Sequence, residues 1–373
     1  MASVARAGCG RGADAGAFLV AALVAAIALA GCSSASSTST SASRRAPSKT
    51  DTTTTSVPAP SASGPKVIID TDFSRWWDDA TVIGLANVLH REGALNLLGV
   101  VTDIPNPVAV AAVDAINTAY GNAEIPLGAV AHSETDTSPH GYSDALVQRL
   151  PHAVRSSADV PDAVTLYRRL LADAPDGSVV VVSVGAYTNI AGLLASPAAD
   201  GAPSGRELVT TKVKRLVVMD GVFPGGWEAV TNQKLDLDAA AAVVAGTADA
   251  PAWPTPIAWV DGYDGIATRV GGKLCRQTAA DHPMRIVYEE LFECGPPGDG
   301  NWDAPALLYA IGDVPKVFSI LGRGGAAVIN EKGGLSWQKP SPRRDDYYVH
   351  LVDQQGLNRR IDQLLAVDAR GDG

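Results

Sequence analysis

Short runs of β-branched apolar residues alternate along this chain with longer Ala- and Leu-rich stretches of helical period. The runs occupy residues 66–72, 97–102, 178–185, 215–221 and 256–261. Strands separated by helices indicate βαβ units, because neighbouring parallel strands need a crossover connection that is usually a helix. We therefore expect an α/β fold with a mostly parallel central sheet flanked by helices, in the open Rossmann-like arrangement.

The N-terminal part of the chain has a different composition. Two arginines precede an apolar run over residues 15–30, which ends in the letters LAGC at residues 29–32. This order is typical of a signal peptide, and the four letters resemble the lipoprotein signal box of bacteria. We expect a lipoprotein signal peptide over residues 1–31 and a lipid anchor on Cys32. The alternative is an ordinary signal peptide or a single membrane anchor.

Residues 32–65 are mainly Ser, Thr, Ala and Pro. Such a segment buries too little surface to offset its ordering entropy, so we expect a disordered linker. The rest, residues 66–373, is long enough for one large α/β domain or two smaller ones, and no second composition shift divides it. This layout predicts a protein of the bacterial cell envelope, anchored by lipid on the outer side of the cytoplasmic membrane.

Charge and cysteine content restrict the partners and the compartment. The net charge is −10, which argues against nucleic acid as a partner, since phosphate binding requires clusters of Lys and Arg. Cys275 and Cys294 would remain unmodified after export, and an oxidising compartment permits them to pair. We expect a disulfide between them, and the alternative is two separate buried thiols.

Four carboxylates lie within ten positions at the end of the first predicted strand. Asp70 and Asp72 are two residues apart on a strand and would face the same way, while Asp78 and Asp79 begin a helix whose dipole favours negative charge. These anions repel one another unless a cation or protons neutralise them. Oxygen ligands suit a hard cation, calcium before magnesium. The alternative is a polar loop whose aspartates cap the helix.

Ligands of open parallel sheets lie at the carboxyl ends of the strands. Polar residues follow several predicted strands and are expected to converge on one cleft. They are Asp72, the segment through Asn106, Thr188 with Asn189, and the segment after Asp220.

Five motifs follow one another in a characteristic order. They are DTD at 70–72 with DDA at 78–80, GVVTDIPN at 99–106, GAYTNIA at 185–191, NQKLDLDAA at 232–240 and NWD at 301–303. In this order they resemble the nucleoside hydrolase family, also called inosine-uridine preferring nucleoside hydrolases, over nearly all of residues 66–373. The resemblance implies hydrolysis of the N-glycosidic bond in ribonucleosides or related ribosyl compounds.

The resemblance also assigns a Ca²⁺ site and a catalytic base. The ion would be held by Asp72, Asp79, the backbone carbonyl of Thr188, and Asp303. Asp72 would also be the general base, since it would contact both the metal and the attacking water.

Substrate contacts come from the same resemblance. Asp78, Asn106 and Asn232 would hydrogen-bond the sugar hydroxyls. Trp302 stands where the better known members have a His that helps to protonate the leaving base. An indole cannot act as an acid near neutral pH, although it can stack on a ring. We therefore expect Trp302 to contact the substrate, and the sequence identifies no acid.

Three other positions concern the walls of the site. Val230 replaces the sugar-binding Glu of the family, with Glu228 nearby as a stand-in. Trp76 and Trp77 form a pair within the acidic loop. They are either core residues or a wall or lid of the pocket, and we expect the second.

A different function is also consistent with this sequence. Loss of the usual acid would fit a lipid-anchored protein that retains calcium and binds a nucleoside or sugar without cleaving it. The intact base and metal ligands favour the enzyme instead. A third possibility is a hydrolase of a different ribosyl compound whose leaving group needs no protonation. Members of the family are often dimers or tetramers, and the sequence leaves open whether this chain forms a homo-oligomer.

Overall fold

The strands of the protein form a large sheet and a small hairpin. The computed structural model describes residues 64–370 except 75, 132–140, 200, 227, 229, 248–251 and 342–344. The strands are β1 Lys66–Thr71, β2 Asn96–Thr102, β3 Leu127–Ala129, β4 Val179–Ser183, β5 Val213–Met219, β6 Ile257–Val260, β7 Phe318–Leu321, β8 Ala326–Ile329, β9 Leu335–Gln338 and β10 Tyr347–Leu351.

Helices fill the connections between these strands. They are α1 Trp77–Arg91, α2 Ala109–Ala119, α3 Gly141–Arg149, α4 Ala163–Asp173, α5 Thr188–Ala195, α6 Gly205–Lys212, α7 Thr231–Leu235, α8 Leu237–Val244, α9 Gly262–Ile266, α10 Leu274–Gln277, α11 Pro283–Phe292, α12 Asp303–Ile311 and α13 Gln354–Leu365, with a short 3₁₀ turn at Ser157–Asp159.

The central sheet has eight strands in the order β3-β2-β1-β4-β5-β6-β10-β7. Every neighbouring pair is parallel except β10 and β7, which run antiparallel. Strands β8 and β9 form a separate antiparallel hairpin. The expected α/β fold with a mostly parallel sheet is confirmed.

Both faces of the sheet are covered, because the central strands are apolar on both sides. On β1, Val67 and Ile69 contribute to one hydrophobic core and Ile68 to the other. On β4, Val180 and Val181 divide between the two cores in the same way. Uninterrupted apolar runs are expected of strands buried on both faces.

The order of the strands also locates a crevice. The chain proceeds from β1 outward to β2 and β3 on one side, and from β4 outward to β5 and β6 on the other. Strands β1 and β4 are therefore the neighbours at which the direction of winding reverses. In open α/β sheets ligands bind at this point, outside the carboxyl ends of the strands.

The predicted disulfide is confirmed. Cys275 on α10 and Cys294, just after α11, are bonded. No helix within the described part of the chain is long and apolar enough to cross a bilayer. The predicted signal peptide, Cys32 and nearly all of the predicted linker lie outside the described residues.

Candidate active site

A cavity of about 380 Å³ opens where strands β1, β4 and β5 end. Asp72 directly follows β1, and Asp220 directly follows β5. Val184 follows β4 and lies on the same wall. The carboxylates that line the cavity are Asp72, Asp78, Asp79, Asp220, Asp299 and Asp303. The cavity therefore lies at the crevice that the strand order predicts, and it is strongly acidic.

Three of these carboxylates meet at one point although they are far apart in the sequence. Oxygen atoms of Asp78, Asp79 and Asp303 lie within 4.8 Å of one another, and all three side chains are buried. Asp78 and Asp79 are in the first turn of α1, and Asp303 is the first residue of α12. The two helices pack together, so the positive ends of both dipoles face the same cluster of anions.

The cluster holds its protons strongly when no cation is present. Burial raises the pKa of Asp79 well above its ordinary value, and the charges of Asp72 and Asp78 raise it further. Burial also raises the pKa of Asp303, with Asp78 and Asp79 adding repulsion. Burial raises the pKa of Asp78 to about 6, although a hydrogen bond from the Trp302 backbone N–H opposes the shift. Ionised carboxylates here therefore need a cation.

The hydrogen bonds of the cluster fit a metal site. Asp79 Oδ1 accepts from the Thr71 hydroxyl, while Asp79 Oδ2 and Asp303 Oδ2 are buried and find no hydrogen-bond partner among the described residues. Buried carboxylate oxygens normally accept hydrogen bonds or bind cations. An all-oxygen site suits Ca²⁺ or Mg²⁺ rather than a softer metal. The residues present therefore fit a hard divalent cation.

Asp72 lies beside this cluster. It is buried, it lines the cavity, and its charge contributes to the raised pKa values of Asp79 and Asp303. Gly185 packs so closely against the Asp72 backbone that a Cβ at this position would overlap the Asp72 nitrogen. A residue without a side chain is therefore required after Val184, where β4 approaches the site.

Thr188 is not among the residues that line the cavity. It is the first residue of α5, so its carbonyl is directed into the helix towards the N–H of residue 192. Its hydroxyl donates to Asp236, 2.8 Å away. The strand-end residue that reaches the cavity is Val184, whose carbonyl accepts from Asn232 Nδ2 at 2.7 Å. The motif predicted the right loop, but the structure brings a different residue of it to the cavity.

The two asparagines expected to bind the sugar have different surroundings. Asn232 lines the cavity, and its amide nitrogen donates to the carbonyls of Val184 and Met219. Asn106 is buried and is not among the lining residues. Its Oδ1 accepts from the N–H groups of Val108 and Ala109, where α2 begins. The structure therefore places Asn232 at the cavity and Asn106 at the start of a helix.

Asp70 lies away from the cavity although it is only two residues from Asp72. It accepts hydrogen bonds from the Tyr167 hydroxyl and the Asn189 amide, both at 2.9 Å. The expectation that Asp70 and Asp72 face the same way fails because β1 ends at Thr71, so Asp72 no longer follows the alternation of the strand.

Three carboxylates of the region had no role in the sequence interpretation. Asp103 is fully buried, and burial together with the charge of Asp70 raises its pKa well above the ordinary value. Asp220 lines the cavity and accepts from the Tyr187 hydroxyl and the Gln233 amide. Asp299 lines the cavity and is exposed. Their only sequence signal is position, because each follows a strand or precedes a motif.

The tryptophans behave as walls of the cavity. Trp76, Trp77 and Trp302 all line it. Trp77 also packs edge-to-face against Tyr288 and Phe292, so it belongs to the core as well. Trp302 is fixed by two hydrogen bonds, from its indole N–H to the Gly262 carbonyl and from its backbone N–H to Asp78.

The loop that carries Trp76 is anchored by helix α3. The Tyr142 hydroxyl donates to the Trp76 carbonyl at 2.6 Å and accepts from the Ser74 N–H at 2.9 Å. Ser74 has a φ of +85°, a left-handed conformation that is uncommon for a residue other than glycine. These contacts hold the loop in the turn that brings Trp76 to the mouth of the cavity.

The suggested stand-in for the sugar-binding glutamate lies elsewhere. Glu228 is exposed, is not among the cavity-lining residues, and its nearest cationic partner is Lys332 at 3.8 Å. Val230 occupies the wall instead. The described part of this wall is therefore apolar where the family has a carboxylate.

Known proteins resemble this chain in sequence and in fold. The profile of a family described as inosine-uridine preferring nucleoside hydrolase matches residues 67–287. A purine-preferring ribonucleoside hydrolase from Gardnerella vaginalis has a similar structure, with 18% identity, a TM-score of 0.62, and coverage of 82% of this chain and 99% of that chain.

Two other solved structures are similar to the same extent. An inosine-uridine preferring nucleoside hydrolase from Bacillus anthracis has 16% identity and a TM-score of 0.61, with coverage of 81% of this chain and 99% of its own. The type III effector protein XopQ, complexed with adenosine diphosphate ribose, has 15% identity and a TM-score of 0.59, with coverage of 82% and 94%. At these identities the likeness concerns the fold. None of the curated proteins matches the chain.

The family profile spans more than half of the chain, and it includes Asp72, Asp78, Asp79, Val184 and Asn232, which line the cavity. The mostly parallel sheet agrees with the solved relatives. This chain therefore belongs to the nucleoside hydrolase family, hydrolases that act on N-glycosyl compounds.

Proposed function

We propose that this protein is a calcium-dependent hydrolase of N-glycosidic bonds in ribonucleosides or related ribosyl compounds. One observation carries the proposal. Oxygen atoms of the buried Asp78, Asp79 and Asp303 lie within 4.8 Å of one another at the cavity, and Asp79 Oδ2 and Asp303 Oδ2 find no hydrogen-bond partner among the described residues. Nothing but a cation or protons balances so many buried anions.

Calcium would be held by Asp72, Asp79 and Asp303, and by a backbone carbonyl at the end of β4. Val184 supplies that carbonyl better than Thr188, because Val184 lines the cavity and the Thr188 carbonyl is directed into α5. When bound, the ion orients the sugar hydroxyls and lowers the pKa of a water.

The other residues bind the substrate and accept a proton. Asp72 takes the proton of the attacking water as general base, because it lies beside Asp79 and lines the cavity. Asp78 accepts hydrogen bonds from sugar hydroxyls. Asn232 uses its amide nitrogen for the Val184 and Met219 carbonyls, so its amide oxygen is the atom presented to the sugar. The carboxylates stabilise the positive charge that develops on the sugar in the transition state.

The proposal includes the location of the enzyme. Export with a lipid on Cys32 is supported by the N-terminal sequence and by the Cys275–Cys294 disulfide, which belongs to an oxidising compartment. Labelling with a radioactive fatty acid in a bacterial host tests the anchor. Loss of label in Cys32→Ala is the expected result, and equal labelling of both chains would contradict it.

The activity is tested with the purified full-length chain. The protein is stripped with a chelator, dialysed, and assayed for release of reducing sugar from inosine, uridine and ribosylated cofactors, with and without added Ca²⁺. We expect turnover only with the ion, and none with Asp303→Asn. Asp176→Asn is the matched control, because Asp176 is an exposed carboxylate just before β4, at the opposite end of the sheet.

Two other results would contradict the proposal. Turnover that survives chelation would exclude the metal as a participant. Thermal stabilisation by nucleosides without any release of sugar would instead support the non-catalytic nucleoside- or sugar-binding protein.

A further inference from the structure

The cavity has an excess of negative charge. Six carboxylates line it, and the same lining contains no Lys, Arg or His among the described residues. A bound divalent cation favours the ionised form of the carboxylates around it and offsets only two of their charges. A cleft lined by one sign of charge focuses the field and attracts ligands of the opposite sign.

The mouth of the cavity is aromatic and open. Trp76 is 43% exposed and Tyr263 is 59% exposed, and both line the cavity together with Trp302. Exposed apolar side chains that converge on one cleft mark a binding surface. Trp and Tyr rings also attract cations through their π faces. The mouth therefore combines ring surfaces with negative potential.

Asp299 adds a charge at this mouth. It is an exposed lining residue near Asp78, whose pKa its charge raises. The Gly300 N–H donates to Asp299 Oδ1 at 2.8 Å and holds the carboxylate in place. Asp299 is exposed, whereas the clustered carboxylates Asp78, Asp79 and Asp303 are buried, so we assign it to the substrate and not to the metal.

The geometry points to a cationic ribosyl compound as the preferred substrate, one whose leaving group is a positively charged pyridinium ring seated among Trp76, Tyr263 and Trp302 and near Asp299. The inference rests on the proposed hydrolase function and specifies its substrate class. A neutral purine or pyrimidine recruits no cation–π attraction and gains nothing from the surplus carboxylates.

The chemistry of such a substrate suits the residues of the cavity. Water attacks the anomeric carbon, and the electron pair of the breaking C–N bond moves to the ring nitrogen, which turns the pyridinium into a neutral pyridine. The water proton passes to Asp72 and then to solvent. The leaving group needs no proton, whereas a neutral base would depart as an anion unless an acid protonated it. Trp302, at the family's acid position, donates its indole N–H to Gly262.

The first experiment compares a cationic with a neutral substrate on the metal-loaded full-length protein. Nicotinamide riboside is the cation, and inosine and uridine are the neutral substrates. We expect kcat/KM for nicotinamide riboside to exceed that for both neutral nucleosides by about tenfold or more. Raising the ionic strength lowers this ratio, because salt screens the surplus carboxylates. A ratio of one or below, insensitive to salt, overturns the inference.

Variants separate charge from shape. Asp299→Asn retains the size of the side chain, and we expect it to lower the ratio of kcat/KM for cation over neutral substrate about fivefold. Asp176→Asn removes the same charge far from the cavity and keeps the ratio of the wild type. Trp76→Ala lowers the ratio, and Trp76→Phe restores most of it because a ring remains. Equal ratios in all these variants contradict the inference.

Binding measurements keep the inference and the proposed function distinguishable. Benzamide riboside is a neutral, uncleavable analogue of the same shape as nicotinamide riboside. Hydrolysis of neutral nucleosides with no preference for the cation overturns the inference and leaves the hydrolase standing. If no compound is cleaved, the hydrolase fails. In that case calorimetry compares the binding of the two ribosides. Binding of nicotinamide riboside about tenfold tighter than that of benzamide riboside supports the cationic site, and equal binding overturns the inference too.

Discussion

Two buried carboxylates near the end of β1 have opposite surroundings. Asp70 is enclosed by donors, since the Tyr167 hydroxyl and the Asn189 amide both bond to it. Asp79 has one oxygen bonded to the Thr71 hydroxyl, and its other oxygen finds no donor in the described part of the chain. Burial raises the pKa of both carboxyl groups, to about 7 for Asp70 despite its two hydrogen bonds, but only Asp79 has a buried oxygen for which the described residues supply no donor.

The difference separates a structural from a functional use of the same residue type. Asp70 connects β1 to α4 and α5 through its two hydrogen bonds, whereas Asp79 and Asp303 begin two different helices that meet at a cavity. Hydrogen bonds to a buried carboxyl group contribute to stability, and removing one partner leaves the other unsatisfied. Buried anions without donors lower stability and are retained for a ligand.

The largest expected effect is at the carboxylates without donors. Asp303→Asn is expected to abolish calcium binding and lower kcat/KM by about a thousandfold. The metal-free variant should unfold at the same temperature as the wild type or higher, because an amide cannot acquire the charge that burial and the neighbouring carboxylates penalise. Calorimetric calcium titration and thermal unfolding check both parts. If the variant lost stability but kept its calcium affinity, Asp303 would be a structural carboxylate and not a metal ligand.

The opposite result is expected for the carboxylate that is enclosed by donors. Asp70→Ala leaves the Tyr167 hydroxyl and the Asn189 amide without their acceptor, so the free energy of unfolding should fall by about 2–4 kcal/mol. Tyr167→Phe removes a single donor and should cost about 1 kcal/mol. Urea denaturation measures both. If Asp70→Ala lost calcium affinity without losing stability, Asp70 would belong to the metal site.

The pH dependence of stability tests a third buried carboxylate, Asp220. Burial raises its pKa from the ordinary 3.8 to about 6, despite hydrogen bonds from Tyr187, Gly221 and Gln233. The folded state therefore binds more protons than the unfolded state between these values, and this residue's contribution to stability is lost as the pH rises through about 6. In metal-free protein, Asp220→Asn should gain about 2–4 °C in melting temperature relative to wild type between pH 4 and pH 7. A constant difference would show that Asp220 stays ionised.

The smallest expected effect concerns Thr188. Thr188→Val removes the hydrogen bond to Asp236 and should lower the free energy of unfolding by about 1 kcal/mol. Calcium affinity should stay at the wild-type value, because the side chain does not line the cavity. Chemical denaturation and calcium titration measure the two quantities. A large loss of calcium affinity would show that the hydrogen bond from Thr188 to Asp236 positions the metal site.

The strands that the sequence predicted are the ones with uninterrupted β-branched runs. The five predicted runs correspond to β1, β2, β4, β5 and β6, with bounds that differ by a few residues. Strand β3 has only three residues, and β10 has the mixed sequence YYVHL with alternating burial. Such short or mixed segments carry little hydrophobic signal, so their place in the sheet depends on tertiary contacts.

The sequence predicted some residues of the site correctly and others not. Position at a strand end identified Asp72, and position at a helix start identified Asp78 and Asp79, because these placements follow from local structure. The motif order identified Asp303. The roles of Asn106 and Thr188 depended on which atoms face the cavity, and a motif does not contain that information.

By itself the sequence determined the α/β class, the acidic strand end and the family, because these follow from local periodicity and from the order of motifs. Only the tertiary structure decided which carboxylates have donors, that Val184 rather than Thr188 reaches the cavity, and that Trp76 and Tyr263 line the same cavity. Those properties arise when segments that are distant in the sequence pack together. Desolvation and hydrogen bonding of a side chain depend on these distant neighbours and not on its own segment.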